Sequence, residues 1–138
     1  MKVVLDTNVF VSGVYFSGPP HTILQAWRDG LVHIVISREI FDEYARVGDL
    51  LGKRYLGIDL KPILQLVAVE AEIVEASEIP VRICDDPSDD KFFSCAITGG
   101  AHLIISGDNH LLRASGYRNV AVIKPRQFVD NYLKKGNV

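Results

Sequence analysis

Val3-Val4-Leu5-Asp6-Thr7-Asn8 is an aliphatic run, two of its three members β-branched, that stops at an acid. A run of this kind reads as a short buried strand. The acid at its end is then a problem, because a charge beside a central strand costs free energy unless it is paired or bound to a cation. Leu103-Ile104-Ile105-Ser106-Gly107-Asp108 repeats the pattern a hundred residues later. Working outward from these two runs, further apolar stretches at 32–36, 72–75 and 120–123 are expected to be strands. Helical patterns fall between them. Residues 9–15 form a short one, ended by Gly18-Pro19-Pro20. Pro20 then suits a helical first turn, with Ile23, Leu24 and Trp27 on one face and Gly30 as the stop. Ser37 suits an N-cap for a helix with Ile40, Phe41, Tyr44, Val47 and Leu51 inward. Gly48, Asp49, Gly52 and Gly57 are expected to shorten or break it. Asp59 suits a cap for a helix with Pro62 in its first turn and Ile63, Leu64, Val67 and Ala68 along it.

In the second half, Asp85-Asp86-Pro87-Ser88 is turn chemistry. Ser88 is expected to cap a helix carrying Phe92, Phe93, Ala96 and Ile97, stopped by Gly99-Gly100. Pro125 starts a terminal helix with Phe128, Val129, Tyr132 and Leu133 inward and Lys134-Lys135 at its end. Short apolar strands alternating with helices argue for an α/β fold with a parallel sheet. In such sheets, sites form beyond the carboxyl ends of the strands. Asp6 and Asp108 each follow a strand of this kind.

The chain has 138 residues, 48% of them hydrophobic, which suits one domain over residues 1–138 with a core that needs no staple. A net charge of −2 gives no global basic footprint for nucleic acid. Cys84 and Cys95 stand in apolar contexts outside any C-x-x-C pair and read as small buried hydrophobes. The four histidines are scattered, which argues against zinc. The apolar run after Met1-Lys2 is too short for a signal peptide and no stretch is long enough to span a membrane, so the cytoplasm is the expected location.

The acids have alternative readings one at a time. Asp6 suits an Asx turn or a helix cap as well as a site, and Asp108 suits a cap for a short helix at 109–112. Asp85, Asp86, Asp89 and Asp90 crowd six residues and need a nearby positive charge, for which Lys91 is a local candidate. Glu43 reads as a solvated helical glutamate. Taken together, acids at two strand ends and at helix starts would form an oxygen-only cluster of the kind that suits Mg²⁺ or Mn²⁺.

Four segments, in order, resemble the PIN domain family, of the kind found as the toxin of bacterial and archaeal toxin–antitoxin pairs. They are Val3-Val4-Leu5-Asp6-Thr7-Asn8-Val9-Phe10-Val11-Ser12, Ser37-Arg38-Glu39-Ile40-Phe41-Asp42-Glu43-Tyr44, Asp86-Pro87-Ser88-Asp89-Asp90-Lys91-Phe92, and the segment from Leu103 through Ser106-Gly107-Asp108 to Leu112. The resemblance implies a three-layer α/β/α sandwich around a mainly parallel sheet. It implies a metal-dependent endoribonuclease acting on single-stranded RNA, with Asp6, Glu43, Asp89 and Asp108 as the catalytic and Mg²⁺- or Mn²⁺-binding acids. Asp89 is preferred to its neighbour Asp90 because Ala96, seven residues on, keeps the family's register. Asn8, Ser12, Asp86, Asp90 and Ser106 are supporting residues by the same correspondence, Ser106 standing where threonine is more usual. Arg113, Arg118, Lys124 and Arg126 are the basic residues nearest Asp108 for carrying the RNA backbone. Homodimers and a co-encoded antitoxin are expected by the same similarity. A catalytically silent RNA- or protein-binding module and a structure-specific DNA nuclease are the competing readings. A phosphoacceptor receiver domain fits less well, because it needs an acidic pair near the first strand and an aspartate ending a middle strand.

Overall fold

A computed structural model of the chain describes residues 1–54, 59–76, 83–84 and 87–133. The order is β1 (Lys2–Leu5), α1 (Thr7–Tyr15), α2 (Pro19–Arg28), β2 (His33–Ser37), α3 (Arg38–Gly52), α4 (Lys61–Glu70), β3 (Glu72–Val74), a 3-10 turn (Pro87–Asp89), α5 (Asp90–Gly99), β4 (Leu103–Ile105), α6 (Asn109–Arg113), a 3-10 turn (Tyr117–Asn119), β5 (Ala121–Ile123) and α7 (Pro125–Phe128). All four pairings in the five-stranded sheet are parallel, in the order β3-β2-β1-β4-β5. Register aligns Leu5 with Ile105 and Ile105 with Ile123, so β1, β4 and β5 end level at their carboxyl edge.

The sheet grows in two directions from its centre. From β1 the chain winds outward through β2 to β3, then crosses back to β4 and on to β5. Because crossovers between parallel strands are right-handed, the two winding directions assign α1–α4 to one face and α5 and α6 to the other. This is the expected three-layer α/β sandwich, and its reversal point lies between β1 and β4. The strands have the hydrophobic continuity that burial on both faces requires: Val3, Val4, Leu5, Ile104 and Ile105 are fully buried. Gly99 allows α5 to close on β2, since a Cβ there would lie 2.4 Å from a Val35 methyl.

Local signals held at several ends. The Ser37 hydroxyl accepts the Ile40 N–H, the Asp59 carboxylate accepts the Lys61 N–H, and Gly100 ends α5 with φ of +72°. Three expectations need correction. First, α3 runs unbroken through Gly48 and Asp49 to Gly52. There the Gly48 carbonyl accepts the Tyr15 hydroxyl at 3.1 Å and Leu60 packs where a Cβ would sit, so tertiary contacts offset a weak helical propensity. Second, α5 is entered through a 3-10 turn, with Asp89 rather than Ser88 at the cap position. Third, α7 passes after Phe128 into a π-helical turn over Val129–Leu133. That wider turn leaves Tyr132 42% exposed instead of inward. Gly57, Asp85, Asp86, Lys134 and Lys135 lie outside the described residues.

Both cysteines are buried and unbridged. Burial pushes each thiol from 9.0 up to about 12, with the Asp90 carboxylate adding to the shift at Cys84. The folded state therefore holds more thiol protons than the unfolded chain between those values. Stability from this source is complete below pH 9 and is lost as pH rises toward about 12. Iodoacetamide at pH 8 is expected to leave both thiols unlabelled in the native protein and to modify both in denaturant. Labelling of native protein at the denatured rate would contradict this burial.

Among the described residues no helix is long and apolar enough to cross a membrane.

Candidate active site

Asp6 leaves β1 at the reversal point of the sheet, where its backbone N–H donates to the Ile105 carbonyl of β4 at 3.0 Å. The residue is 7% exposed. It occupies the N-cap position of α1 without making a side-chain cap bond there. Instead its Oδ2 accepts the hydroxyl of Ser106, itself fully buried at the end of β4, at 2.7 Å. The Ser106 oxygen in turn accepts the Asp108 N–H at 2.9 Å. One hydroxyl thus ties the ends of β1 and β4 together and sets where the Asp108 backbone begins.

Burial raises the Asp6 carboxyl above its ordinary value, and the charges of Asp108 and Glu43 add to this. The Ser106 hydroxyl and the Thr7 backbone oppose it. Asp108 is half-buried, and its Oδ1 also caps α6 by accepting the His110 N–H at 2.7 Å. The cap reading of Asp108 is therefore correct, and it coexists with a position beside Asp6.

Glu43 arrives from α3 on the other side. The Thr7 hydroxyl, adjacent in sequence to Asp6, donates to Glu43 Oε2. Glu43 Oε1 lies 3.0 Å from the Lys91 ammonium, which comes from the first turn of α5. Arg46 reaches the same oxygen at 3.7 Å from a largely exposed position. Beneath them the fully buried Tyr44 donates its hydroxyl to the Leu5 carbonyl and stacks on Phe10, with ring centroids 4.2 Å apart.

Asp89 and Asp90 part company at the start of α5. Asp90 accepts the Cys84 N–H at 2.7 Å and the Ile83 N–H at 3.3 Å, so its carboxylate fastens the preceding segment. Asp89 is half-buried at the cap position. Asn8 and Ser12 lie on α1, the first exposed and the second half-buried, while Asp86 lies outside the described residues. Lys124 and Arg126 follow the carboxyl end of β5 and are exposed on the same sheet edge as Asp6. Arg113 closes α6 and meets His110 at 3.1 Å. Arg118 stands before β5, at the amino edge, over the Tyr117 ring. A parallel sheet cannot bring that residue to the acids.

Sequence reasoning named neither Thr7 nor Lys91 as a site residue. Thr7 lay inside the Asp6-Thr7-Asn8 signature. The signal for Lys91 is its place directly after the crowded acids, where it also serves as a local counter-charge.

A divalent cation fits this site by the chemistry of its donors. Asp6 and Asp108 offer only oxygen, and Asp6 is a carboxylate that burial and like charges hold toward its protonated form. Among the described residues no three His, Cys, Asp or Glu side chains gather closely enough to hold a metal. Two carboxylates are nevertheless enough for Mg²⁺, which commonly keeps several waters and uses one or two protein carboxylates.

Ser106→Ala is expected to retain the fold at a cost of about 1 kcal/mol and to weaken divalent-ion affinity about 10- to 100-fold, the usual effect of losing a group that orients a ligand. Titration calorimetry checks this, and an unchanged affinity would show that the Asp6 orientation does not depend on Ser106.

No curated protein matches the chain. A family model described as PIN domain matches residues 2–110, from the start of β1 into the first turn of α6, and so takes in Asp6, Glu43, Asp89, Ser106 and Asp108. With this match across most of the sequence, and with the acid-ended strands β1 and β4 meeting at the reversal point, the chain belongs to the PIN domain family, a nuclease-type fold.

Proposed function

We propose that this chain is a metal-dependent endoribonuclease that hydrolyses phosphodiester bonds in single-stranded RNA, folded as one domain over residues 1–138. The observation that carries the reading is the buried Asp6 carboxylate at the sheet's reversal point, fixed by Ser106 and set beside Asp108. In this reading Asp6 and Asp108 hold Mg²⁺ or Mn²⁺, Asp89 joins from the start of α5, and Glu43 completes the acidic quartet. When bound, the ion lowers the pKa of water and offsets charge on the phosphate. The chain's own part is orientation and charge. Ser106 fixes Asp6 Oδ2 and with it the orientation of the carboxylate at the end of β1. Lys124 and Arg126, exposed on that edge, hold the RNA backbone by its phosphates, with Arg113 at its side.

The resemblance also supports a setting in which the chain is the toxin of a toxin–antitoxin pair, forms homodimers and is restrained by a co-encoded antitoxin. That part of the proposal is tested by whether induced wild type arrests growth while an Asp6 variant does not.

The direct experiment follows labelled single-stranded RNA and flap DNA with Mg²⁺, Mn²⁺ or EDTA. Metal-dependent cutting of the RNA supports the proposal. Cutting confined to flap DNA would move the substrate to structured DNA. No cutting together with no metal binding would leave a binding module.

A further inference from the structure

Lysine is almost never buried unless it is paired, yet the Lys91 side chain is only 8% exposed. Its ammonium lies 3.0 Å from Glu43 Oε1, donates to the Ser88 carbonyl and stands 5.0 Å from the centroid of the Phe92 ring. The other Glu43 oxygen accepts the Thr7 hydroxyl. Both oxygens of Glu43 are thus engaged by the protein itself. A continuous path of contacts runs from Asp6 through Thr7 and Glu43 to Lys91, joining β1, α1, α3 and α5 at one edge of the sheet. The Asp6 carboxylate is held by the neutral Ser106 hydroxyl and the Thr7 backbone, and Asp108 Oδ1 by the His110 N–H. Glu43 thus carries a buried cation, Lys91, against one of its oxygens and the Thr7 hydroxyl against the other.

We propose that Lys91 is a built-in cation of the site. Its ammonium supplies beside Glu43 the charge that a second divalent ion would otherwise supply, so the site takes a single divalent ion, on Asp6 and Asp108 with Asp89 joining them. Glu43 is then a positioning residue, holding Thr7 and Lys91, and not a ligand of that ion. The inference rests on the metal-dependent reading above and narrows it to one ion. It follows from two opposing demands. Three carboxylates converging on one edge repel one another unless positive charge is present. A fixed ammonium meets that demand without metal and also repels a second divalent ion.

The test is calorimetric titration of the full chain with Mn²⁺, with bound ions counted independently by electron paramagnetic resonance. The wild type is expected to bind one ion. Asp6→Asn is expected to lose affinity more than about a hundredfold, whereas Glu43→Gln loses no more than about tenfold, the scale of a group outside the coordination sphere. Lys91→Met releases Glu43, and binding should tighten about tenfold or gain a second ion. Lys91→Arg keeps the charge and should restore the wild-type value, which a merely structural role for the lysine stem would not require. Two ions in the wild type, Glu43→Gln as damaging as Asp6→Asn, or unchanged affinity in Lys91→Met would each overturn the inference while leaving a metal-binding site in place. Absence of Mn²⁺ binding in the wild type would overturn the metal-dependent reading and the inference together. If circular dichroism shows that Lys91→Met does not fold, the wild-type stoichiometry and the Glu43→Gln affinity decide the matter.

Discussion

Asp6→Asn is expected to reduce metal-dependent RNA cleavage by at least about a hundredfold, since loss of even an orienting group near a metal costs about 10- to 100-fold. The replacement keeps an oxygen that can accept the Ser106 hydroxyl, so the effect isolates the charge. The same variant is expected to be more stable than wild type without metal at neutral pH. The sign follows from the raised Asp6 carboxyl, caused first by burial and then by the Asp108 and Glu43 charges. Between the ordinary value of 3.8 and its higher folded value, the native state holds more protons than the unfolded chain. Unfolding free energy therefore falls as pH rises through that window, and the neutral asparagine escapes the loss. The advantage of the variant should vanish below about pH 3.8, where Asp6 is protonated in both states. Adding Mg²⁺ or Mn²⁺ should raise the melting temperature of wild type and leave Asp6→Asn nearly unmoved. Equal metal-induced shifts in the two proteins would remove Asp6 from the metal site. A gain in stability from loss of a functional charge is the usual trade-off where an active site is built against folding.

Tyr44→Ala is expected to cost about 3–5 kcal/mol, the range for removing a buried aromatic side chain. That is a large share of the roughly 5–15 kcal/mol that holds a domain folded. Tyr44 is fully buried, stacks on Phe10 and bonds the Leu5 carbonyl immediately before Asp6. Burial, followed by the Asp6, Cys95 and Glu43 charges, raises its hydroxyl well above 10, so it remains a donor throughout the working range. Tyr44→Phe removes only that bond and should cost about 1 kcal/mol. The difference between the two variants in urea denaturation measures the ring apart from the hydroxyl. A Tyr44→Ala protein within about 1 kcal/mol of wild type would show that the core beneath the site closes over the cavity.

Part of this molecule is legible from local chemistry. The aliphatic runs of β1 and β4 are continuous because both faces of a central parallel strand are buried. Ser37, Asp59 and Gly100 act on backbone within three residues of themselves, so their roles follow from spacing. An acid directly after such a strand marks the carboxyl edge as the place for a site, and the four ordered segments carry the family.

Other features depend on partners that sequence distance conceals. Whether Gly48 breaks α3 is settled by Tyr15 and Leu60, not by its own propensity. Asp89 and Asp90 are neighbours of identical chemistry, and only the Ile83 and Cys84 N–H groups assign Asp90 a different task. Arg118 and Lys124 look equivalent along the chain, but β5 runs between them and puts them at opposite ends of the sheet. Lys91 and Glu43 are 48 positions apart, and their pairing exists only because α3 and α5 converge at the carboxyl edge. Sequence by itself determined the fold class, the family and the edge on which the acids lie, because those depend on periodicity and on acids placed at strand ends. The tertiary structure alone decided which carboxylates are desolvated, which are already engaged and which cation stands among them, because charge–charge and hydrogen-bond energies depend on distance and burial.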